Sequence, residues 1–499
     1  MGFTFDGRGR RRLKTRFPIL AAVLTAGLGG CASVSEYRAP AAEVPASFSM
    51  TGQSSSPNAL SAWWRGFRDP VLDGLIQRAL AGDLNVKRAA ARIEQARQEA
   101  RIAGAANQPT LSADAQASVT RLSRNSSLGV IAAQAGRAGA GSGLGSAGLP
   151  GDSVKTVQLG FDAGWELDLF GGVRREVEAA EARIEAAVWS RRDAELMLAA
   201  EVARDYLAYR AIQRRRLALD EKLRVEADIL DYRRVQLRNG LATVDEVSRA
   251  EAELAADTAS LRTLIAQRDV QGHALAVLTG QPPLALDKEL AALPPGDAAE
   301  PEIPIGLPSE LLRRRPDIRS AERQLAAATA EVGAARADLY PRISLTGAAS
   351  LVSSSLSNLI ESDSGQPSAG AALTAPLLDG GRRRATVRLR QAQAEDAALA
   401  YRATTLSALR EVEDALTRIQ ADRDRRRQLA AAETAARERL AAARARRHAG
   451  LAGGVESLEA ESARLTASDA VIQLRAETNQ DLVALAKALG GGWDEGKAN

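Results

Sequence analysis

The stretch "VQLGFDAGWELDLFGGVRR", residues 157–175, contains a change of periodicity that decides the fold. In its first part, apolar side chains alternate with polar or small ones. The apolar series is Leu159, Phe161, Ala163, Trp165 and Leu167. Such alternation over about ten residues predicts a β-strand with one face in lipid and the other facing a wet lumen. Gly171 and Gly172 then permit a sharp reversal, so we expect the strand to lead directly into a helix.

The helix after this turn is predicted to be unusually long. Leucines recur every seven residues at Leu223, Leu230 and Leu237, which is the period of coiled-coil packing. From Gly172 to Arg238 there are 67 residues, so a continuous helix would reach roughly 100 Å. A compact domain does not accommodate such a rod, whereas the wall of a long tube does.

The same plan occurs a second time further along the chain. "LDGGRRR", residues 378–384, matches "LFGGVRR", residues 169–175, in its glycine pair and its arginines. "LRNGLATVDEV", residues 237–247, has a counterpart in "RHAGLAGGVESL", residues 447–458, and each Gly-Leu turn is predicted to reverse one long helix into the next. The predicted turns are Gly171, Gly172, Gly380 and Gly381 between strand and helix, and Gly240, Leu241, Gly450 and Leu451 at the two hairpin tips.

Pro109 and Pro341 lie where helical spacing stops and a short strand begins. Proline cannot continue a helix and pushes the preceding residue to extended geometry, so both are predicted helix-to-strand corners. The chain is predicted to begin with an export signal at 1–30 and a lipidated tether at 31–62. A first repeat at 63–280 would contain a β-hairpin at about 110–169 and a helical hairpin with its tip near 240. After a Pro-rich linker at 281–306, a second repeat at 307–493 would contain a β-hairpin at about 342–378 and a helical hairpin with its tip near 450, followed by a tail at 494–499.

The positive charge of the chain is concentrated in its leader. The net charge is +4, but residues 1–30 alone carry six basic side chains and one acidic one. In the remaining chain the basic and acidic residues almost cancel, so no argument for nucleic-acid binding survives. Long Ala-, Arg-, Glu- and Leu-rich segments with only 4% aromatic residues instead favour closely packed helices.

The leader has the form of an export signal followed by a cysteine. "FPILAAVLTAGL", Phe17 to Leu28, is too short to span a bilayer, and the only cysteine, Cys31, follows in "LGGCAS". This pattern resembles a bacterial lipobox, in which the cysteine is acylated, and Ala32 resembles lipoproteins sorted to the outer membrane. Several acyl chains would make that attachment durable. The alternative is an ordinary signal peptide with an incidental thiol.

Four linked motifs resemble those of one family. They are "WELDLFGGVRR" (165–175), "LPSELLRRRPDIRSAERQL" (307–325), "ADLYPRISL" (337–345) and "KALGGGW" (487–493). Together they are similar to the NodT-type outer-membrane efflux lipoproteins among the TolC-like outer-membrane factors. The resemblance implies a mixed α and β membrane protein. Three copies would form a twelve-stranded outer-membrane β-barrel, four strands per chain, continued by a periplasmic α-helical coiled-coil barrel with two structural repeats per chain.

The resemblance also implies a function and partners. The homotrimer would be the exit duct of a tripartite efflux pump in a Gram-negative outer membrane, anchored in lipid at Cys31. It would receive small molecules such as drugs from a periplasmic membrane-fusion adaptor and an inner-membrane pump of the resistance-nodulation-division type. No cofactor is implied. Four strands cannot close a membrane barrel of at least about eight, so oligomerisation also follows from physics.

Site residues follow from the same resemblance. The hairpin tips at Gly240, Leu241, Gly450 and Leu451 would meet the adaptor, in addition to their role as helix turns. Val455 and Glu459 would form a hydrophobic and an acidic ring that close the tube; alternatively, Glu459 is a solvated helix residue. The chain departs from the family pattern by one extra residue in the tip "GLAGGVE" and by Ser462, where some relatives have arginine.

No enzyme is predicted, and neither a catalytic nor a metal site. His273 and His448 lie far apart and outside metal-ligand spacings. "LDGGRRR" lacks the Gly-Lys-Ser/Thr ending of a phosphate loop. Two alternatives to small-molecule efflux stay open: a TolC-like duct for protein secretion, and a non-porous structural coiled-coil lipoprotein. The exported compounds are not readable from the sequence.

Overall fold

A computed structural model of the protein describes residues 37, 44–50, 60–121, 123, 125–127, 130, 153–294, 296 and 298–493. The export signal, Cys31 and the tail at 494–499 lie outside these residues. The chain forms two compact units, and each repeat contributes to both. The sheet unit includes the described residues of Ala103–Val177 and Thr329–Gln391, and the helical unit includes those of Pro40–Ile102, Glu178–Ala328 and Ala392–Asn499.

Both halves of the chain contain the same series of two helices, two strands, one long helix and one shorter helix. A 3₁₀ turn at Trp63–Phe67 is followed by α1 (Pro70–Gly82), α2 (Leu84–Ala105), β1 (Thr110–Arg121), β2 (Ser153–Leu167), α3 (Gly172–Arg238), α4 (Val244–Leu278), α5 (Asp287–Leu290), α6 (Pro308–Arg314), α7 (Pro316–Ala337), β3 (Arg342–Ser353), β4 (Gly365–Thr374), α8 (Arg382–His448) and α9 (Gly454–Ala488). Helices α3 and α8 each have 67 residues, and α4 and α9 each have 35. The long helix predicted from Gly172 to Arg238 is confirmed.

The four strands form one antiparallel sheet in the order β1-β2-β3-β4. Phe161 lies opposite Ala113 on one side and Ala349 on the other, and Leu159 lies opposite Ala115 and Leu351. Directly opposite residues share a face, so this register collects the apolar side chains on one face. Its large exposed members are Leu111, Val119, Leu159, Phe161, Trp165, Leu345 and Leu373.

The opposite face of the sheet is polar or small. Asp162 lies opposite Ser112, and Gln158 lies opposite Gln116. Among the described residues, the outer edges of β1 and β4 pair with no further strand. A single chain therefore presents an open sheet with one apolar and one polar face.

Strand β4 ends earlier along the chain than the sequence suggested. The second hairpin was predicted to end near residue 378, but β4 ends at Thr374. Pro376 has no amide hydrogen to donate to a sheet ladder, and the strand stops before it. Leu377 and Leu378 lie beyond the strand with exposed fractions of 93% and 96%.

The core of the helical unit forms where the chain enters α1. Asp69 caps α1 by accepting from the amides of Val71 and Leu72, with Pro70 at the first helical position. Fully buried side chains of α1 pack with others from α3, α4, α8 and α9; they include Leu72, Leu75, Ile76, Tyr206, Leu275, Leu416 and Leu485. The segment predicted as a tether contributes as well, since Phe48 is 4% exposed and the amide of Ser49 donates to Glu413.

Two of the quoted motifs meet inside this unit. The indole of Trp493 donates to the carbonyl of Arg314 at 3.1 Å. Arg315 is buried and donates to the carboxylates of Asp317 and Glu411 and to the carbonyl of Ala488. A buried guanidinium is tolerated when its donors are paired, and these pairs join "LRRRPD" to the end of α9.

Candidate functional site

Each helical hairpin reverses in the same kind of turn. The amide of Gly240 donates to the carbonyl of Leu237 at 3.0 Å, and that of Leu241 donates to Gln236 at 2.8 Å. The amides of Gly450 and Leu451 repeat this pattern at 3.0 and 2.8 Å. These are the paired bonds of a Schellman motif. With φ of 69° at Gly240 and 68° at Gly450, the turn requires a left-handed residue, which glycine supplies without strain.

The two tips expose a leucine but begin their second helix differently. Leu241 and Leu451 are 75% and 74% exposed. At the first tip, Thr243 and Glu246 form a capping box, and the backbone amide of Thr243 lowers the pKa of Glu246 by donating to its carboxylate. At the second tip the corresponding N-cap is Gly453, which has no side chain to cap with. The second tip is therefore the less firmly capped of the two.

Glu459, one of the predicted gate residues, is paired with the other hairpin. Arg233 near the end of α3 donates to Glu459 of α9 at 2.8 Å and to Glu246 of α4 at 3.2 Å. The Glu459 side chain stays 44% exposed. One guanidinium thus ties the two hairpins together close to both tips.

The other residues of the predicted gate lie around this ion pair. Val455 is buried, with 7% exposure, so within one chain it packs inside the hairpin. A side chain at Gly454 would come within 2.9 Å of the Tyr232 ring, which shows how closely α9 approaches α3 there. The family resemblance implied an arginine in place of Ser462; in the structure, Arg464 pairs with Glu461 at 2.7 Å and Glu221 at 3.6 Å. An arginine two residues later thus supplies a contact between α9 and α3.

The strand-to-helix turns contain a residue type that the sequence reasoning missed. Asp168 accepts from the amide of Arg174 at 2.9 Å, ahead of α3. Asp379 accepts from the amides of Gly381 and Arg383 at 2.9 and 3.1 Å, ahead of α8. Both carboxylates satisfy amides that a helix start leaves unpaired. The signal was present, because an aspartate precedes both glycine pairs.

The glycine pairs themselves are not equivalent. Gly380 and Gly381 both adopt positive φ, at 66° and 86°, whereas in the first pair only Gly171 does, at 78°. Gly172 is instead the first residue of α3, where an added Cβ would meet Ala337 at 3.3 Å. Gly172 is thus required for close packing against Ala337, whereas the other three glycines are required for a left-handed backbone.

The predicted corners lie directly before their strands. Pro109 precedes the first residue of β1, and Pro341 precedes the first residue of β3. Aromatic side chains gather beside them: Tyr340 stacks on Phe170 with ring centroids 4.8 Å apart, and the Trp165 indole donates to the carbonyl of Asn107. Tyrosine and tryptophan rings, which are apolar but have one polar group, favour the boundary between lipid and water.

A cluster of buried charge between α3 and α4 had no sequence signal. Lys222 lies 2.7 Å from Asp257 and 3.3 Å from Glu226, which is 6% exposed. Burial, and then the negative charge of Asp257, raise the pKa of Glu226 to about 7. The cluster therefore gains or loses a proton near neutral pH.

In the described part of the chain, no group of three or more His, Cys, Asp or Glu side chains could hold a metal ion. None of its helices combines the length and the apolar character needed to cross a bilayer.

A family model described as "Outer membrane efflux protein" matches residues 75–281 and 307–491. The chain belongs to the outer membrane efflux protein family. This outer membrane efflux protein is similar to the outer membrane protein OprJ of Pseudomonas aeruginosa, with 32% identity over 97% of this chain and 98% of OprJ. It is also 32% identical to nodulation protein T of Rhizobium leguminosarum bv. viciae, over 84% of this chain and 83% of that protein.

Its fold matches that of a solved channel. The outer-membrane channel OprN superposes with a TM-score of 0.78 at 32% identity, over 92% of this chain and 99% of OprN. The predicted resemblance to NodT-type outer-membrane efflux proteins is confirmed, and so is the role as an outer-membrane exit duct in efflux.

Proposed function

We propose that three copies of this outer membrane efflux protein close into one duct, which passes small molecules from an adaptor and an inner-membrane pump to the exterior. The observation that carries the proposal is the sheet, with its exposed apolar face and two unpaired edges. Unpaired backbone groups are not tolerated in lipid, so strands that cross a membrane must close into a barrel. Further copies of β1 and β4 are the natural partners of the open edges.

The number three comes from the family resemblance and gives twelve strands. The helices also offer surfaces for neighbouring copies. On α8, Leu399 and Leu406 are seven residues apart and 60% and 55% exposed. Such spacing suits packing against a helix of the next copy, which would extend the barrel as a coiled-coil tube.

Cysteine pairs on the two outer strands test the closure. We would combine Ala115→Cys on β1 with a cysteine at Pro367, Ala369 or Ala371 on β4. The expected result is a ladder of disulfide-linked species that ends at three chains. A pair at Ala163 and Gly347, which face each other within one chain, is the matched control and should stay monomeric. If all three β4 cysteine positions gave only monomer, or if the ladder extended beyond three linked chains, trimeric closure would be refuted.

The exposed leucines at the tips are the proposed contact with the periplasmic adaptor. Leu241 and Leu451 lie on turns of the same geometry, and both are about three-quarters exposed. A photo-crosslinking amino acid at Leu241 should capture the adaptor in cells, whereas one at Val277, an exposed residue at the end of α4, should not. If position 241 of a correctly exported protein captured no adaptor, or if position 277 captured it equally well, the docking assignment would fail.

The gate is proposed to lie just past the second tip. Three copies of Glu459 around one axis would form an acidic ring, and Arg233 would hold each carboxylate in place. Val455 is buried within one chain, so it would form an apolar constriction only after its side chain turned towards the axis. Opening would then require the Arg233–Glu459 pair to separate. The pump would select the exported compounds, because a wide duct makes few specific contacts with what passes.

Cys31 is proposed as the site of acylation that anchors each chain in outer-membrane lipid. Metabolic labelling with palmitate should mark the wild-type chain, and Cys31→Ser should lose the label. If the variant still carried the label, Cys31 would not be the site of acylation.

A further inference from the structure

The two repeats match residue by residue along their helices, at constant spacings. Helix α3 spans Gly172–Arg238 and α8 spans Arg382–His448, so each residue of α3 has its counterpart 210 positions later. Helix α2 spans Leu84–Ala105 and α7 spans Pro316–Ala337, so their counterparts lie 232 positions apart. A contact between α3 and α7 can therefore be compared with the same two positions in α8 and α2.

Within one chain, α3 and α7 pack closely against each other. The Ser320 hydroxyl donates to the carbonyl of Ala186 at 3.1 Å and lies 2.9 Å from the Ser190 hydroxyl. Arg323 pairs with Glu185 at 3.2 Å. Ser320 and Ala186 are only 6% and 5% exposed. The facing sides of these two helices are thus covered.

The counterpart positions in α2 and α8 are not covered in one chain. Arg88 is the counterpart of Ser320, and Asp396 is the counterpart of Ala186, yet both are exposed. A repeat unit buries its remaining faces by stacking on a neighbour. The repeats therefore indicate that one side of α2 and one side of α8 await a partner helix.

An apolar residue on α8 shows the same difference in exposure. Leu406 is 55% exposed, whereas its counterpart on α3, Leu196, is 4% exposed. Burial of such a side chain removes apolar surface from water and favours association. The uncovered side of α8 is thus suited to packing against another helix.

The uncovered sides of α8 and α2 carry opposite charges. Glu395 and Asp396 are exposed neighbours on α8, and Arg88 and Arg92 are exposed on α2, one turn apart. In the described part of the chain, Glu395, Asp396 and Arg92 make no side-chain hydrogen bond or ion pair. Arg88 reaches only the amide oxygen of Asn85, at 3.4 Å. Two carboxylates and two guanidinium groups are thus left without an ion-pair partner.

We infer that α8 of one copy packs against α2 of the next, in the register that α3 adopts against α7 within a chain. Asp396 then faces Arg88 of the partner subunit, and Glu395 lies beside Arg92 of the partner subunit. The inference rests on the trimer proposed above and assigns the charge pairs that set the register between its copies. Each copy presents its acidic side to one neighbour and its basic side to the other, so the ring closes in a single direction.

Charge reversal tests this pairing in the full-length protein. Glu395→Arg with Asp396→Arg reverses one side, and Arg88→Glu with Arg92→Glu reverses the other. In native mass spectrometry, each double variant should lower the ratio of trimer to monomer at least about tenfold, since like charges across an interface repel. All four substitutions together should restore the ratio to within about threefold of the wild type, because opposite charges face each other again. A combined variant with less trimer than either double variant would refute the pairing.

A chemical crosslink measures the register without reversing any charge. Asp396→Cys with Arg88→Cys, treated with a short bismaleimide, should give species of two and three linked chains. Arg384→Cys with Arg88→Cys is the matched control and should stay monomeric, because position 384 lies about 18 Å before Asp396 on α8. Equal linkage in the two pairs, or no linkage in the first, would overturn the register.

The disulfide ladder between β1 and β4 reports trimer closure separately. If that ladder ended at three chains while the charge reversals and the crosslink gave the contrary results, the pairing of α8 with α2 would be refuted and the trimer would stand. If the ladder itself failed, the trimer and the pairing would both be refuted.

Discussion

Replacing Glu226 with glutamine should stabilise the α3–α4 hairpin at alkaline pH. In the folded chain, burial raises the pKa of this carboxyl from 4.5 to about 7, so its ionised form is disfavoured. Below pH 4.5 the group is protonated in the folded and unfolded states and costs nothing. As the pH rises from 4.5 to 7 the penalty grows, and above 7 it is fully present.

The size of the effect follows from the difference between the two pKa values. One pKa unit corresponds to about 1.36 kcal/mol, so the full penalty above pH 7 is roughly 3 kcal/mol. The substitution also removes the 3.3 Å contact with Lys222, which keeps its partner Asp257. We therefore expect Glu226→Gln to raise the opening free energy by about 1–2 kcal/mol at pH 8 and by close to nothing at pH 4.5.

Hydrogen exchange of the backbone amides around residues 222–230 measures this opening free energy directly. At pH 8 the variant should exchange roughly 5- to 30-fold more slowly than the wild type after correction for intrinsic rates. Glu221→Gln is the matched control, because the side chain of Glu221 on the same helix is 57% exposed. A variant that opens more readily at pH 8, or a difference that does not change with pH, would refute the reasoning.

Three further substitutions probe the tips. Thr243→Ala should lower the opening free energy at the start of α4 by about 1 kcal/mol in hydrogen exchange, and Thr243→Ser should restore it. Arg233→Gln should raise the open fraction in planar-bilayer recordings about threefold, since an exposed ion pair contributes under about 1 kcal/mol; Arg234→Gln, which affects one hairpin only, should not. Gly240→Ala should destabilise its turn by about 1 kcal/mol, unlike Gly453→Ala, where φ is −73°.

The helices and their turns were largely predictable because their signals are local. The glycine pair at 171–172 marks where α3 begins and the Gly-Leu turn at 240–241 marks where it ends, while the heptad leucines indicate a helix between them. The alternation in β2 likewise identified the apolar face, which the register then extends across the whole sheet. These features depend on residues within a few positions of one another, so one sequence contains them.

Features that depend on contacts between residues far apart in the chain were not predicted from the sequence. Small residues around β4 alternate weakly, and its position was misplaced by four residues at its end. Arg233 and Glu459 are 226 residues apart, and nothing near either of them signals the other. The buried pair of Glu226 with Asp257 escaped for the same reason, because both lie among many solvated carboxylates with the same helical spacing.

The long and the shorter helix of one repeat match those of the other repeat in length. Because α3 equals α8 and α4 equals α9 in length, the two tips come to the same level, where Arg233 of one hairpin reaches Glu459 of the other. Each residue inserted into one hairpin alone would shift its tip by about 1.5 Å, and one extra heptad would carry the arginine far beyond its partner. A homologue with a longer or shorter duct must therefore have insertions or deletions of the same length in both helical hairpins.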